Sequence, residues 1–163
     1  GVKIDILKKS LKNFSGVQRR MTKIFKKNKN KIFDDYAHHP TEISSILNGV
    51  KKVYRKRKII TVFEPHRYSR VTSLKEKFSK SFVKSDLVLI SPLYAAGEKN
   101  KCNFNLVRFA KLISKNSSTQ VIIVNTQKEL TNYLKKNLIN DEIIIGMGAG
   151  SISQWMKELK FNL

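Results

Sequence analysis

Two short polar stretches carry most of the side chains that could do chemistry in this sequence. The first begins at Asp34 and packs two carboxylates, a phenol and two imidazoles into the residues up to His39; the second, Glu64 to Arg70, contains the third His and two Arg. A planar guanidinium suits bidentate contact with carboxylate or phosphate. Because Arg67 and Arg70 are three apart where a helix is predicted to begin, we expect both to contact one anion. A pair of surface arginines without a ligand is the alternative.

The residue before Pro40 is unusual for its predicted place. Pro is favoured at the first position of a helix and Glu at the third, which Pro40 and Glu42 satisfy, but the N-cap is then His39 rather than Ser, Thr, Asp or Asn. A His at this position suggests a functional role, and a structural role is the alternative. Adjacent His38 and His39 point apart in most backbone conformations, so we predict no metal site.

The elements that position these stretches follow from the apolar pattern. Continuous apolar runs are typical of strands covered on both faces, and stripes at helical spacing are typical of helices packed on one side. Repeated strand–helix units favour a parallel sheet. We therefore predict an α/β fold, a Rossmann-like three-layer domain with a mostly parallel sheet and helices on both faces. The predicted strands include residues 32–33, 59–63, 87–90, 121–124 and 143–145, and residues 22–26 are a candidate edge strand.

Three details of this prediction can be compared directly with a structure. Residues 4–13 have helical spacing of apolar residues. The helix after Pro40 has an apolar stripe that ends in Val53 and Tyr54. A single helical stripe is predicted to carry Val71, Leu74, Phe78 and Phe82.

The carboxyl ends of the predicted strands collect the polar residues. Ligands of open parallel sheets bind outside these ends, and all three His, Arg67 and Arg70 fall there. The last strand leads into a glycine turn, with Gly148 and Gly150 before Ser151. The glycines could serve a ligand or only a tight turn and close helix packing. The chain has no Gly-x-x-x-x-Gly-Lys-Ser/Thr string, so it lacks a P-loop for a triphosphate.

Composition bounds the class of protein. The chain has 163 residues, 40% of them hydrophobic, with 33 Lys and Arg against 12 Asp and Glu and a formal net charge of +21. Because the cations are spread along the chain, we favour a solvated basic surface, with a basic nucleic-acid-binding module as the alternative. One Cys excludes an internal disulfide. No apolar run reaches the roughly 20 residues of a membrane span and no signal peptide is visible, so we expect a cytoplasmic protein.

Five strings of the sequence stand out together, at residues 14–20, 34–42, 64–70, 94–98 and 148–152. In their order and spacing they resemble the C-terminal domain of the Mur ligase family of bacterial peptidoglycan synthesis. The second and third strings are the most specific, and the third resembles the alanine-adding branch.

The resemblance implies a longer enzyme of three domains. Residues 1–16 would be the tail of a central P-loop ATPase domain and residues 17–163 the C-terminal, amino-acid-binding domain. The chain begins within an element, as a fragment would. The family reaction phosphorylates UDP-N-acetylmuramate with ATP and Mg²⁺, and L-alanine attacks the acyl phosphate. The resemblance implies that residues 1–163 alone hold no cofactor and are inactive, and that neither nucleic acid nor membrane is a partner. A non-catalytic relative is the alternative.

The resemblance also implies roles for individual residues. Near ATP it places a hinge arginine, a ribose-binding aspartate and a tyrosine; near L-alanine it places two imidazoles and two guanidiniums. Ser151 departs from the Asp or Asn that many members have, which leaves its role open, and no ligand role is implied for His39. The implied residues are Arg20, Asp35 and Tyr36 for ATP, and His38, His66, Arg67 and Arg70 for L-alanine.

Overall fold

The computed structural model describes residues 1–14, 16–139 and 141–163. Ser15, which belongs to the first family-like string, lies outside the described residues, as does Asn140. Strands and helices alternate from residue 30 onward. The strands are β1 (Thr22–Lys27), β2 (Asn30–Asp35), β3 (Ile59–Phe63), β4 (Leu87–Ile90), β5 (Gln120–Ile123) and β6 (Ile143–Met147). The helices are α1 (Ile4–Lys12), α2 (Pro40–Val53), α3 (Tyr68–Ser73), α4 (Lys75–Ser79), α5 (Leu106–Ser117), α6 (Gln127–Asn137) and α7 (Ile152–Asn162).

The strands of the described residues form one six-stranded sheet in the order β1-β2-β6-β3-β4-β5. β1 is antiparallel to β2 and forms one edge, which confirms the candidate edge strand, and the other neighbours are parallel. β2 and β3 are not neighbours in the sheet, because β6, the last strand in the sequence, lies between them. This central strand therefore lies beside the ends of both β2 and β3, which carry the two polar stretches.

Helices cover both faces of the sheet, so the three-layer prediction is confirmed. Alternate residues of a strand point to opposite faces, and the core divides accordingly into two clusters. Phe33 packs with α2, α4 and α5, whereas its neighbour Ile32 packs with α6 and α7. Large side chains fill both clusters, among them Phe63 and Phe78 on the first face. Since α2 and α7 leave the neighbouring strands β2 and β6 toward opposite faces, a crevice opens at the carboxyl ends of these strands.

Three predicted details differ from the structure. The stripe from Val71 to Phe82 is two short helices, α3 and α4, because the backbone leaves helical geometry at Leu74, which has φ −112° and ψ 16°. Val53 ends α2 but is 72% exposed, so the apolar stripe contributes to the core only as far as Val50 and Tyr54. The predicted strand 121–124 is observed one residue earlier, as β5.

Helix α1 confirms the helix predicted near the N-terminus but adds nothing to the core. None of its residues is buried, and Ile4, Leu7 and Leu11 are at least half exposed. No helix in the described ranges is both long and apolar enough to cross a membrane.

Candidate functional site

The carboxyl edge of the sheet brings the two polar stretches into contact. The rings of His38, after β2, and His66, after β3, have centroids 5.6 Å apart. The ring of Tyr94, after β4, stacks on His66 with an interplanar angle of 11° and a centroid distance of 5.5 Å. A parallel bridge also joins the backbones of His66 and Tyr94. Three strand ends thus form one aromatic row, as the sequence predicted for His38 and His66.

Arg70 is part of the same cluster. Its Nη1 lies 3.1 Å from Nδ1 of His66. Because a guanidinium only donates, Nδ1 must accept, and the His66 proton is then on Nε2. Burial lowers the pKa of His66, and the nearby charges of Arg70, His38 and Arg67 lower it further, while Glu98 acts in the opposite direction. His66 is therefore held as the neutral tautomer that presents an N–H on its far side.

Arg67 has a different neighbour and an unusual backbone. Its φ is +67° and its ψ is 128°, a conformation that costs a non-glycine residue free energy and that occurs at functional sites. The conformation is held by the Arg67 amide, which donates to the Tyr94 carbonyl at 2.9 Å, and by the Tyr94 amide, which donates to the Pro65 carbonyl at 2.8 Å. The half-exposed side chain lies 4.0 Å from Oε1 of Glu98. Arg67 and Arg70 thus share the edge but have separate partners, so a shared anion stays a prediction.

Glu98 is itself fixed by the start of α3. The amide and the hydroxyl of Ser69 donate to its two oxygens at 3.0 and 2.7 Å. These two hydrogen bonds lower the pKa of Glu98. Glu98 is therefore ionised beside Arg67 at neutral pH, and its long contact leaves the Arg67 guanidinium able to accept a second anion.

The residues expected near ATP lie at the neighbouring end of β2. Arg20, Asp35, Thr41 and Glu42 line one groove. Asp35 is buried, and its two oxygens accept the amides of Met21 and Ala37, each at 2.7 Å. Burial raises the pKa of Asp35, against the opposing effect of these hydrogen bonds and of the Arg20 charge. Asp35 thus fixes the backbone on both sides of the groove.

Tyr36 lies beside Arg20, which is one of the residues that line this groove. Tyr36 is 37% exposed, and its ring lies edge-on to that of His38 at a centroid distance of 5.0 Å. The guanidinium carbons of Arg19 and Arg20 lie 4.7 and 5.9 Å from the ring centroid, within the range of cation–π attraction. Tyr36 and His38 thereby connect the two groups of residues that the sequence predicted separately.

His39 is a helix cap. Its Nδ1 accepts the amide of Thr41 at 3.3 Å, and Oε2 of Glu42 accepts the amides of His38 and His39 at 3.0 and 3.1 Å, which completes a capping box. Burial acts to raise the pKa of Glu42, but the His38 amide, the His38 charge and the His39 amide outweigh it and lower the pKa. Of the two roles considered for His39, the structure supports the structural one.

The glycine turn packs closely against the ends of β3 and β4. A Cβ at Gly150 would overlap the Tyr94 ring and Oε1 of Glu64, and one at Gly148 would lie 2.9 Å from the Cβ of Glu64. The buried Glu64 carboxylate accepts the amide of Gly150 at 2.9 Å and the amide and hydroxyl of Ser151 at 3.0 and 2.6 Å. The close approach and these bonds assign the glycines and Ser151 a clear structural function.

Sequence reasoning assigned no role to four residues of this edge: Arg19, Glu64, Tyr94 and Glu98. The last three stand in the family-like strings and in the segments that follow β3 and β4, which was the available signal. Arg19 was passed over in favour of its neighbour Arg20. Within the described ranges, no three His, Cys, Asp or Glu side chains converge in a way that could hold a metal ion.

Comparisons with known proteins agree with this architecture. The chain is 48% identical over 159 residues to the UDP-N-acetylmuramate–L-alanine ligase of Pelagibacter ubique, covering 98% of this chain and 34% of that protein. It is 37% identical to the ligase of the same name from Hydrogenobaculum, covering 94% of this chain and 33% of that protein. The chain thus spans about a third of the length of these relatives.

Solved structures share the fold at lower identity. The UDP-N-acetylmuramate–alanine ligase of Thermotoga maritima superposes with a TM-score of 0.73 at 24% identity, over 94% of this chain and 31% of that one. A murein peptide ligase from Psychrobacter arcticus also gives 0.73, at 22% identity, over 99% of this chain and 33% of that one. Equal scores for two different ligases show that these superpositions establish the fold alone.

The fold is that of an α/β domain with a cationic, aromatic cluster at the carboxyl edge of its sheet. A profile described as "Mur ligase, glutamate ligase domain" matches residues 19–150, which is most of the chain. The chain belongs to the Mur ligase family and corresponds to the C-terminal domain of its alanine-adding ligases.

Proposed function

We propose that this chain is the amino-acid-binding domain of a cytoplasmic enzyme that joins L-alanine to UDP-N-acetylmuramate in peptidoglycan synthesis. ATP would phosphorylate the carboxylate of the sugar nucleotide; the alanine amine would then attack the acyl carbon, release phosphate and lose a proton. The observation that carries the proposal is the cluster of His38, His66, Arg67, Arg70 and Tyr94 at one sheet edge. A small zwitterion requires cations for its carboxylate and a shaped, partly apolar wall, and this cluster offers both.

Within this proposal, each side chain has a defined task. Arg67 binds the alanine carboxylate, and its backbone, fixed through Tyr94, sets the direction from which the guanidinium approaches. Arg70 contributes the second cation and orients His66, whose Nε2–H faces away from Arg70. Because these groups hold the carboxylate, the amine is left to face the acyl phosphate, and positioning of this kind is a large part of catalysis.

The nucleotide would bind at the groove beside β2. Arg20 is exposed and cationic, which suits phosphate, and the Tyr36 ring offers a surface for a sugar or a base. Asp35 lines the groove and keeps lone pairs beyond those used by the two amides, so we expect a ribose hydroxyl to donate to it. We expect Mg²⁺ to be bound by the longer enzyme and not by residues 1–163 alone.

The domain division that we propose is residues 1–16 for the central ATPase domain and residues 17–163 for the C-terminal domain. Two observations support it: α1 has an exposed apolar face, and the family profile begins at residue 19. Since the sequence has no P-loop, we expect no alanine-dependent ATP hydrolysis from these 163 residues alone.

The test is Arg67→Ala in the longer enzyme. Loss of the carboxylate contact should raise the KM for L-alanine by about tenfold or more and leave the KM for ATP nearly unchanged, because the lost interaction mainly binds substrate. Steady-state phosphate release at varied L-alanine measures this. Arg108→Ala is the matched control, since Arg108 is an exposed arginine on α5. An alanine dependence equal to that of wild type would remove Arg67 from this role.

A further inference from the structure

Arg19 joins three separate segments at the carboxyl edge. Its Nη2 donates to the carbonyl of Gly148 in the glycine turn. Its Nε lies 3.6 Å from Oδ2 of Asp34, at the end of β2, and its guanidinium lies over the Tyr36 ring. Its own carbonyl accepts the Tyr36 amide at 2.7 Å. One residue thus holds both the backbone and the ring of Tyr36, and the turn that follows β6.

The side chain is placed by a constrained backbone. Arg19 has a φ of +57°, which is uncommon for a residue other than glycine. It lies only two residues before Met21, whose amide is bound by Asp35. The link segment, residues 17–21, is therefore fixed to the sheet at both Arg19 and Met21, immediately before β1 begins.

Asp34, the buried partner of Arg19, has a carboxylate oxygen that accepts no hydrogen bond from the described residues. Asp34 is 2% exposed, and its Oδ2 accepts the hydroxyl of Ser153 on α7 at 2.6 Å. Among the described residues, Oδ1 of Asp34 and Nε of Arg19 are buried side-chain atoms without a hydrogen-bond partner. A buried carboxylate and a guanidinium that face each other without a full hydrogen bond leave room for a tighter arrangement of Arg19.

We propose that Arg19 is a positioning residue for nucleoside triphosphate binding, acting through Tyr36 and the Gly148 carbonyl. This rests on the proposed function and deepens it, since Arg20, the neighbour, is the residue expected to meet the phosphates. Arg19 is partly buried and contacts the protein, whereas Arg20 is exposed and is free to contact the ligand. By holding Tyr36 beside Arg20, the Arg19–Asp34 pair sets the surface that Tyr36 and Arg20 present to the nucleotide.

The role requires a guanidinium. Lys keeps the positive charge, but its single ammonium is a compact group without a planar face and cannot donate to Gly148, meet Asp34 and stack on Tyr36 at the same time. Arg19→Lys is therefore the informative change, because it preserves charge and removes the simultaneous contacts.

The test compares Arg19→Lys with Arg57→Lys in the longer enzyme. Arg57 lies at the opposite edge of the sheet, donates to the carbonyls of Lys29 and Glu142 and lies over the Tyr54 ring. Both variants should lower the thermal midpoint of unfolding. Only Arg19→Lys should raise the KM for ATP, by about tenfold, while the KM for L-alanine stays within about twofold of wild type.

A second variant covers the case in which Arg19→Lys does not fold. Asp34→Asn keeps the shape and an acceptor for Ser153 but removes the charge that faces Arg19, and it should raise the KM for ATP in the same direction. Equal KM values for ATP in wild type and in the folded variants, with only stability changed, would overturn the proposal. Failure of the proposed function is distinguishable, since wild type itself would then show no alanine-dependent ATP hydrolysis.

Discussion

The amino and carboxyl ends of the parallel strands, here the amino edge and the carboxyl edge, each have an arginine that binds several loops and lies over a tyrosine ring. The two arginines differ in how many of their hydrogen-bond donors have partners. At the amino edge, Arg57 donates to the carbonyls of Lys29, Asp141 and Glu142 and pairs with the Asp141 carboxylate at 2.9 Å. Its side chain is 14% exposed, and it lies over the ring of Tyr54. This arginine closes the loops before β2, β3 and β6 into one unit.

The carboxyl edge repeats the arrangement with weaker contacts. Arg19 bridges the link segment, β2 and the glycine turn, and lies over Tyr36, but its ion pair is longer, at 3.6 Å, and its side chain is 24% exposed. Beside it stand Arg67, with a strained backbone, and the exposed rings of Tyr36 and Tyr94. Among the described residues, Nε of Arg19 and Oδ1 of Asp34 at this edge are buried side-chain atoms without a hydrogen-bond partner. The difference between the edges supports the proposal that a ligand binds at the carboxyl edge.

The strongest test of the comparison removes the buried carboxylate at each edge. Glu64→Ala leaves the amides of Gly150 and Ser151 without their acceptor, so the free energy of unfolding should fall by about 3 kcal/mol. Glu142→Ala removes the acceptor for the amides of Ile139 and Asp141 at the other edge and should cost about as much. Urea unfolding of the chain measures both.

The two carboxylate variants should differ in their effect on enzyme activity. In the longer enzyme, Glu64→Ala should also reduce turnover, because the turn that it holds packs on Tyr94. Glu142→Ala should leave the KM values for both substrates near those of wild type. If both variants lost activity in proportion to their stability, the edges would not differ in function.

A pair of glycine substitutions gives the next largest effect. Gly150→Ala places a Cβ against the Tyr94 ring and the Glu64 carboxylate, and overpacking of this kind should cost about 2 kcal/mol. Gly49 lies in α2 with nothing within 4 Å of a built Cβ, so Gly49→Ala should stabilise the protein by about 1 kcal/mol, through helix propensity. Opposite signs in urea unfolding would support the comparison, and a stable Gly150→Ala would contradict the close packing of the turn.

Much of the fold was predictable because the sequences of buried parallel strands are nearly continuous apolar runs. Ile59 to Phe63 is one such run, and every residue in it is buried. The position of β6 between β2 and β3 was not predictable in this way, because an apolar run does not indicate which strands will lie on either side of it in the sheet. The break at Leu74 was missed for a related reason: the apolar spacing continues across it, although the Leu74 backbone leaves helical geometry.

The candidate site was also predictable only in part. Residue type and the strand-end rule were enough to bring His38, His66 and Arg70 to one edge, and the contacts of the first two with each other confirm that placement. The separate partners of Arg67 and Arg70 depend on the backbone twist at Arg67, which sequence spacing does not encode. Arg19 was missed because consecutive arginines look equivalent in sequence, and only the fold shows that Arg19 is partly buried while Arg20 is exposed.

The smallest predicted effect concerns pH and the imidazoles, which are confined to the carboxyl edge. Since burial and neighbouring cations lower the pKa of His66 from its ordinary value of 6.5, the unfolded chain binds this proton first as pH falls. The contribution of His66 to stability is thus complete above pH 6.5 and is lost as pH falls below it, until the folded ring also protonates. His66→Gln should flatten that part of the profile of unfolding free energy against pH. His39→Asn, which retains a capping acceptor, should leave the slope due to His66 in place. An unchanged slope in His66→Gln would mean that the folded edge tolerates a charged His66, and the neutral tautomer that we assign to His66 would then have to be abandoned.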